Sequence, residues 1–84
     1  MKSLRLPRSV QLPFGRRIKI VQVPEAQLTD LFGVSDGQWH ITSQTIYVNK
    51  ALGQAKKRYV VAHELQHALV DYLHMLQVEG EAQP

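Results

Sequence analysis

From Ala55 to about Leu76 the chain carries neither proline nor glycine, and this uninterrupted stretch limits the fold more than any other feature. Tyr59, Val60, Ala62, Leu65, Leu69, Val70, Leu73 and Leu76 recur at helical spacing around a wide apolar surface. The pattern predicts one long helix, more buried than an ordinary surface helix. At about 22 residues it exceeds the usual length of a globular helix and should cross the whole of an 84-residue chain as its backbone.

The rest of the chain must supply what covers that helix. Ile18-Lys19-Ile20-Val21-Gln22-Val23 is β-branched and closed by Pro24, which has no N–H to give to a ladder, so a strand is expected over 18–23. Pro24 then stands at a helix start, and Leu28, Leu31 and Phe32 at spacings of three and four suggest a short helix stopped by Gly33. In Gln38-Trp39-His40-Ile41-Thr42, Trp39 and Ile41 share one face. In Thr45-Ile46-Tyr47-Val48-Asn49, Ile46 and Val48 do so, and Ser43-Gln44 links the two as a hairpin. Residues 1–17 mix prolines, a glycine and several arginines without a sustained period and are expected to be an extended arm. The expected architecture is α+β: a small sheet of about three strands packed on the long helix, with an additional short helix. The domain should span 18–76, followed by an irregular tail over 77–84.

A chain of this size buries only about 60% of its unfolded surface and often leans on a metal, a disulfide or a partner. It has no cysteine, which excludes a disulfide and a thiolate metal site. The net charge of +3 is mildly basic, below the profile of a dedicated nucleic-acid binder. The amino terminus lacks the apolar core of a secretory signal, and no run approaches the roughly 18 apolar residues of a membrane span, so a cytoplasmic protein without membrane contact is expected.

The chemistry lies in His63-Glu64-Leu65-Gln66-His67, an HExxH motif inside the long helix. Residues four apart sit one turn above each other, so the two imidazoles can close on one Zn²⁺ at about 2.0–2.1 Å each. Glu64 projects beside them, where it can take a proton from a zinc-bound water and pass it to a leaving amine. A fixed pattern of this kind arises by chance in roughly one chain of this length in a few hundred. Its setting between Val60-Val61-Ala62 and Ala68-Leu69-Val70 favours metal binding over two hydrogen-bonded histidines.

A third ligand is less directly read. Asp71 lies about 12 Å along the helix from His63, beyond an aspartate's reach to a metal held between His63 and His67. It is assigned instead an orienting hydrogen bond to an imidazole or a solvated position. His74 lies farther still and reads as a partly exposed helix residue. If the helix ends at Leu76, an extended tail returns Glu81 to the metal more easily than Glu79. Glu81 is therefore the candidate third ligand, beside Glu79, water, a donor from a neighbouring chain, or a tail with no role.

These residues together resemble the minimal zincin metallopeptidases of the ImmA/IrrE type, common in phages and mobile elements. The likeness covers about residues 12–82. It rests loosely on Leu12-Pro13-Phe14-Gly15 and on Asp36-Gly37-Gln38-Trp39 leading to Thr45-Ile46-Tyr47-Val48-Asn49. It rests specifically on Arg58-Tyr59-Val60-Val61-Ala62-His63-Glu64-Leu65-Gln66-His67-Ala68-Leu69. The resemblance implies a three-stranded sheet on an active-site helix, zinc on the two histidines, Glu64 as general base and a protein substrate. It also implies a glutamate from a following helix, a pairing that Glu81-Ala82 resembles. A sheet edge beside the helix, strand 45–49 or 38–42, would receive the extended substrate, with His40 or Tyr47 either in the cleft or as ordinary strand residues facing water.

The leading reading is thus a zinc-dependent peptidase with His63, His67 and Glu81 as ligands. The alternative is a catalytically degenerate zincin-fold binding module in which zinc stabilises the fold. A third reading, nucleic-acid binding, would use Arg5, Arg8, Arg16, Arg17 and Lys19 with Lys56, Lys57 and Arg58 as a second patch, and would be strongly salt-dependent.

Overall fold

The computed structural model of the chain describes residues 6–13 and 15–82, without the side chains of 78–82. Strand β1 (Ser9–Gln11) turns into β2 (Arg17–Val23), which leads through Pro24 into helix α1 (Glu25–Phe32). The hairpin β3 (Gly37–His40) and β4 (Thr45–Asn49) follows, and helix α2 (Gln54–Ala82) completes the order. The four strands form one mixed sheet in the order β1-β2-β4-β3.

Two pairings in this sheet are local and one is not. β1 and β2 run antiparallel, with Val10 opposite Ile18, and β3 and β4 run antiparallel, with Trp39 opposite Ile46. β2 and β4 run parallel, with Ile20 beside Ile46 and Gln22 beside Val48. A parallel pair needs a crossover rather than a tight turn, and α1 with β3 supplies it. The pairing makes β3 an edge strand, with β4 on one side and α2 beneath.

The alternation of each strand decides which face is dry. Ile18 and Ile20 on β2, Trp39 on β3, and Ile46 and Val48 on β4 point to one side, where Val60, Val61, Ala68 and Tyr72 of α2 meet them. Leu12, from the turn after β1, joins the same cluster. The other side carries Arg17 and Lys19 in solvent and is partly covered by α1, where Phe32 lies 5.3 Å from Tyr47 and 6.0 Å from His40, ring centre to ring centre. Leu28 is fully buried in α1, and Gly33, at φ 82°, ends that helix with its N–H on the Thr29 carbonyl at 2.8 Å. That left-handed φ explains why the helix stops at a glycine.

The fold class and the two helices are as expected, with three differences. The arm over 1–17 contains strand β1, so the sheet has four strands. Three residues are too short to show a period, and their pairing with Arg17–Lys19 is what makes them a strand. The hairpin link spans Ile41 to Gln44 rather than two residues, with Gln44 at φ 52°, and is held by Ser43 Oγ and the Ser43 N–H on His40 Nδ1.

The third difference concerns α2, which continues to Ala82 instead of ending at Leu76. Gly80 costs an exposed helix about 1 kcal/mol and does not by itself stop it. This helix is also less buried than its apolar pattern suggests. A single sheet covers only one stripe of it, leaving Tyr59, Val70, Leu73 and Leu76 exposed. None of the described helices is long and apolar enough to cross a membrane.

Candidate metal centre

Helix α2 presents His63 and His67 one turn apart on its exposed side, with Glu64 half-buried between the helix and β3. Their Nε2 atoms lie 3.3 Å apart, with ring centres 4.9 Å apart and planes at 82°. Two ligands at about 2.0–2.1 Å from one tetrahedral ion are separated by about 3.3–3.4 Å. The two imidazoles therefore have the spacing that a shared Zn²⁺ requires. One ligand atom from each of His63, Glu64 and His67 falls within 4.8 Å of the others, so the carboxylate stands beside the ion's place.

Glu64 is held from the sheet. Its Oε1 accepts the backbone N–H of Trp39 at 3.0 Å, an outward-facing amide that edge strand β3 would otherwise show to solvent. The Trp39 indole N–H donates to Asp71 Oδ2 at 2.7 Å, and the ring meets Tyr72 edge-on at 5.8 Å. Arg16 covers Tyr72, its guanidinium 5.5 Å from the ring centre. Burial pushes the Tyr72 hydroxyl above its ordinary pKa of 10.0; Arg16 opposes that shift and Asp71 adds to it. Ala68 is fully buried in the same core cluster as Trp39 and Tyr72.

Gly37 makes the same approach possible one step earlier on β3. A Cβ there would overlap Val60 Cγ1, lie 3.1 Å from the Tyr47 carbonyl oxygen and 3.7 Å from Glu64 Cγ. The Ser35 hydroxyl closes the adjoining edge by donating to the Gly37 carbonyl at 2.5 Å and accepting the Gly37 N–H at 3.1 Å. Two cavities flank Glu64 and meet at Ser35, Gly37 and Glu64. One, of about 240 Å³, reaches Lys56, Tyr59 and His63. The other, of about 510 Å³, reaches Gln38, Trp39, His67, Val70 and Asp71. A trough thus follows the edge of β3 across the two histidines.

A motif on a long helix, two imidazoles at metal spacing and a carboxylate beside them narrow the comparison with known proteins. The family of the IrrE N-terminal-like domain, a peptidase family, matches over residues 16–82. The chain belongs to this family. Comparison with curated proteins and with solved structures gave no match. The matched span takes in β2 through α2.

Other candidate residues fall in different places. Helix α2 carries the backbone of Glu81 about 21 Å along its axis beyond His67. The return of the tail toward the metal is therefore not made, because 77–82 is helical. The side chains of Glu79 and Glu81 lie outside the described residues. Asp71 does not orient an imidazole; its carboxylate is on the Trp39 indole. His74 is exposed. His40 and Tyr47 alternate away from Trp39 and Ile46, onto the α1 side of the sheet, and do not line the trough.

The basic residues are partly used within the fold. Lys57 is 9% exposed and donates to Gln22 Oε1 at 2.8 Å, Arg17 donates to Ser9 Oγ at 3.0 Å, and Lys56 lies over the Tyr59 ring. Lys57 is thus unavailable to the second basic patch. The residue that sequence reasoning missed is Trp39, the single tryptophan of the chain, because a strand pattern gives its facing direction and not its partners on a helix 25 and 32 residues away.

Proposed function

We propose that the protein is a zinc-dependent peptidase acting in the cytoplasm on a protein or peptide substrate. His63 and His67 would hold the ion through Nε2, and the observation that carries this reading is their 3.3 Å separation. Bound zinc supplies Lewis acidity and lowers the pKa of water toward about 7. Glu64 is the general base: its carboxylate faces both imidazoles, takes the proton of the attacking water and returns it to the amine of the broken peptide bond.

The trough along β3 gives an extended peptide a path across Glu64. Structural zinc is closed by four protein ligands, whereas the two imidazoles leave coordination positions for water and substrate. A second reading, a catalytically degenerate binding module in which zinc stabilises the fold, is favoured by one feature: no third His, Asp or Glu joins His67 and His63 besides Glu64 among the described residues.

The two readings separate on Glu64→Gln, which keeps the shape and removes the base. With the zinc-loaded protein and a mixed peptide pool read by mass spectrometry, the peptidase reading expects new termini that fall by about 10²–10⁴-fold in the variant. Equal cleavage by both proteins, or none by either, would reject it.

A further inference from the structure

Trp39 is bonded at both ends to α2. Its backbone N–H reaches Glu64 at 3.0 Å and its indole N–H reaches Asp71 at 2.7 Å. Glu64 and Asp71 are seven residues apart, two turns on one face, or about 10 Å along the axis. Trp39 therefore braces the strand against the helix over a span that begins at Glu64 and ends past His67. Trp39 is 7% exposed and its ring lies edge-on to Tyr72, so it cannot turn without unpacking the core. β3 has only four residues and is paired on one side only, to β4, the arrangement most prone to fray or slide. Both of its bonds to Glu64 and Asp71 break if β3 moves along the helix.

From this geometry we propose that Asp71 is a positioning residue for Glu64, acting through Trp39. Asp71 fixes the indole, the indole fixes the height of β3 on α2, and the Trp39 amide then holds the Glu64 carboxylate beside His63 and His67. The functional meaning rests on Glu64 as the general base; the mechanical linkage does not. Asp71 touches neither imidazole, so its role differs from the carboxylate–histidine contact common at metal sites.

The test is amide hydrogen exchange by NMR on the metal-free protein, which needs neither zinc nor a substrate. The reference is the Ile20 amide, which donates to the Arg8 carbonyl at 2.9 Å on the far side of the sheet. In Asp71→Ala the Trp39 backbone amide should exchange at least about tenfold faster relative to Ile20, as it should in Glu64→Ala. Asp71→Asn keeps an acceptor for the indole and should return the ratio to within about threefold of wild type. The lone indole N–H resonance should move in both Asp71 variants.

Parallel acceleration of Trp39 and Ile20 would mean simple destabilisation and would overturn the proposal, as would an unchanged Trp39 amide in Asp71→Ala. Zinc titration adds an independent arm. Asp71→Ala should bind zinc within about threefold of wild type, whereas a residue orienting an imidazole would cost about 10–100-fold, and that loss would also overturn the proposal. A loaded protein that cleaves nothing would reject the peptidase reading while leaving the exchange result standing.

Discussion

Gly37→Ala tests how closely β3 must approach the helix that carries the motif. Gly37 has no positive φ, so the methyl is excluded by space rather than by backbone conformation. It would overlap Val60 Cγ1 and sit 3.1 Å from the Tyr47 carbonyl oxygen. Overpacking of this kind costs about 1–3 kcal/mol, and the loss of glycine's freedom in the unfolded chain returns about 0.4–1 kcal/mol. The net loss is about 1–2 kcal/mol, which for a domain of this size lowers Tm by about 4–16 °C.

Val60→Ala removes the colliding atoms and alone costs about 1.6 kcal/mol for two buried methyl groups. Val60 is 7% exposed, so nearly all of that area is at stake. In the double variant the new methyl enters the space that Val60 vacates, and the two losses should fall short of their sum by about 1 kcal/mol or more. Thermal and urea denaturation of the four proteins measures this coupling. Losses that add to within about 0.3–0.5 kcal/mol would refute the contact between Gly37 and Val60 and, with it, the close seating of β3 over Glu64.

Asn49 is 1% exposed, donates to Glu25 Oε1 at 3.0 Å and accepts the Ala51 N–H at 2.9 Å. Asn49→Ala removes both bonds of a buried amide, each worth about 0.5–1.5 kcal/mol, and should lose about 1–3 kcal/mol in urea denaturation; a loss under about 0.5 kcal/mol would contradict the bridge. Tyr72 is an acid whose folded pKa is raised above 10.0 by burial, so the native state keeps its proton more tightly than the unfolded chain. Its contribution is fully present below pH 10 and is lost as pH rises from there through the folded pKa. Tyr72→Phe should therefore lose less stability than wild type on going from pH 9 to pH 11, and equal alkaline slopes would show that the hydroxyl is not the group involved.

The candidate site was legible in the sequence because its residues are local: His63, Glu64 and His67 are spaced by the helix itself, and a stretch free of proline and glycine favours the helix. The same holds for α1, bounded by Pro24 and Gly33, and for the alternation of Ile46 and Val48. What could not be read depends on distant partners. β1 is a strand only because Arg17–Lys19 lies opposite, and the parallel seam of β2 with β4 joins segments 26 residues apart, as in Lys19 with Thr45. Apolar spacing marked Val70 and Leu73 like Val60 and Leu65, yet only the latter pair packs into the core under the sheet. Glu81 was placed by assuming that the helix ends at Leu76, and one glycine at position 80 is too weak a stop to bear that assumption. Trp39 had an expected face, but its two bonds to α2 follow from the register of strand against helix, which no local pattern encodes.

Whether His63 and His67 share a metal ion is decided by the zinc content and Tm of the purified protein, measured for wild type and His67→Ala before and after chelation. Wild type should carry about one zinc per chain and His67→Ala should retain none, with a fall in Tm on chelation; at free zinc about 100-fold above Kd, binding stabilises the fold by about 2.7 kcal/mol. Wild-type protein that binds no zinc and shows no thermal shift when zinc is added would contradict a shared ion, as would a His67→Ala variant that binds zinc as well as wild type.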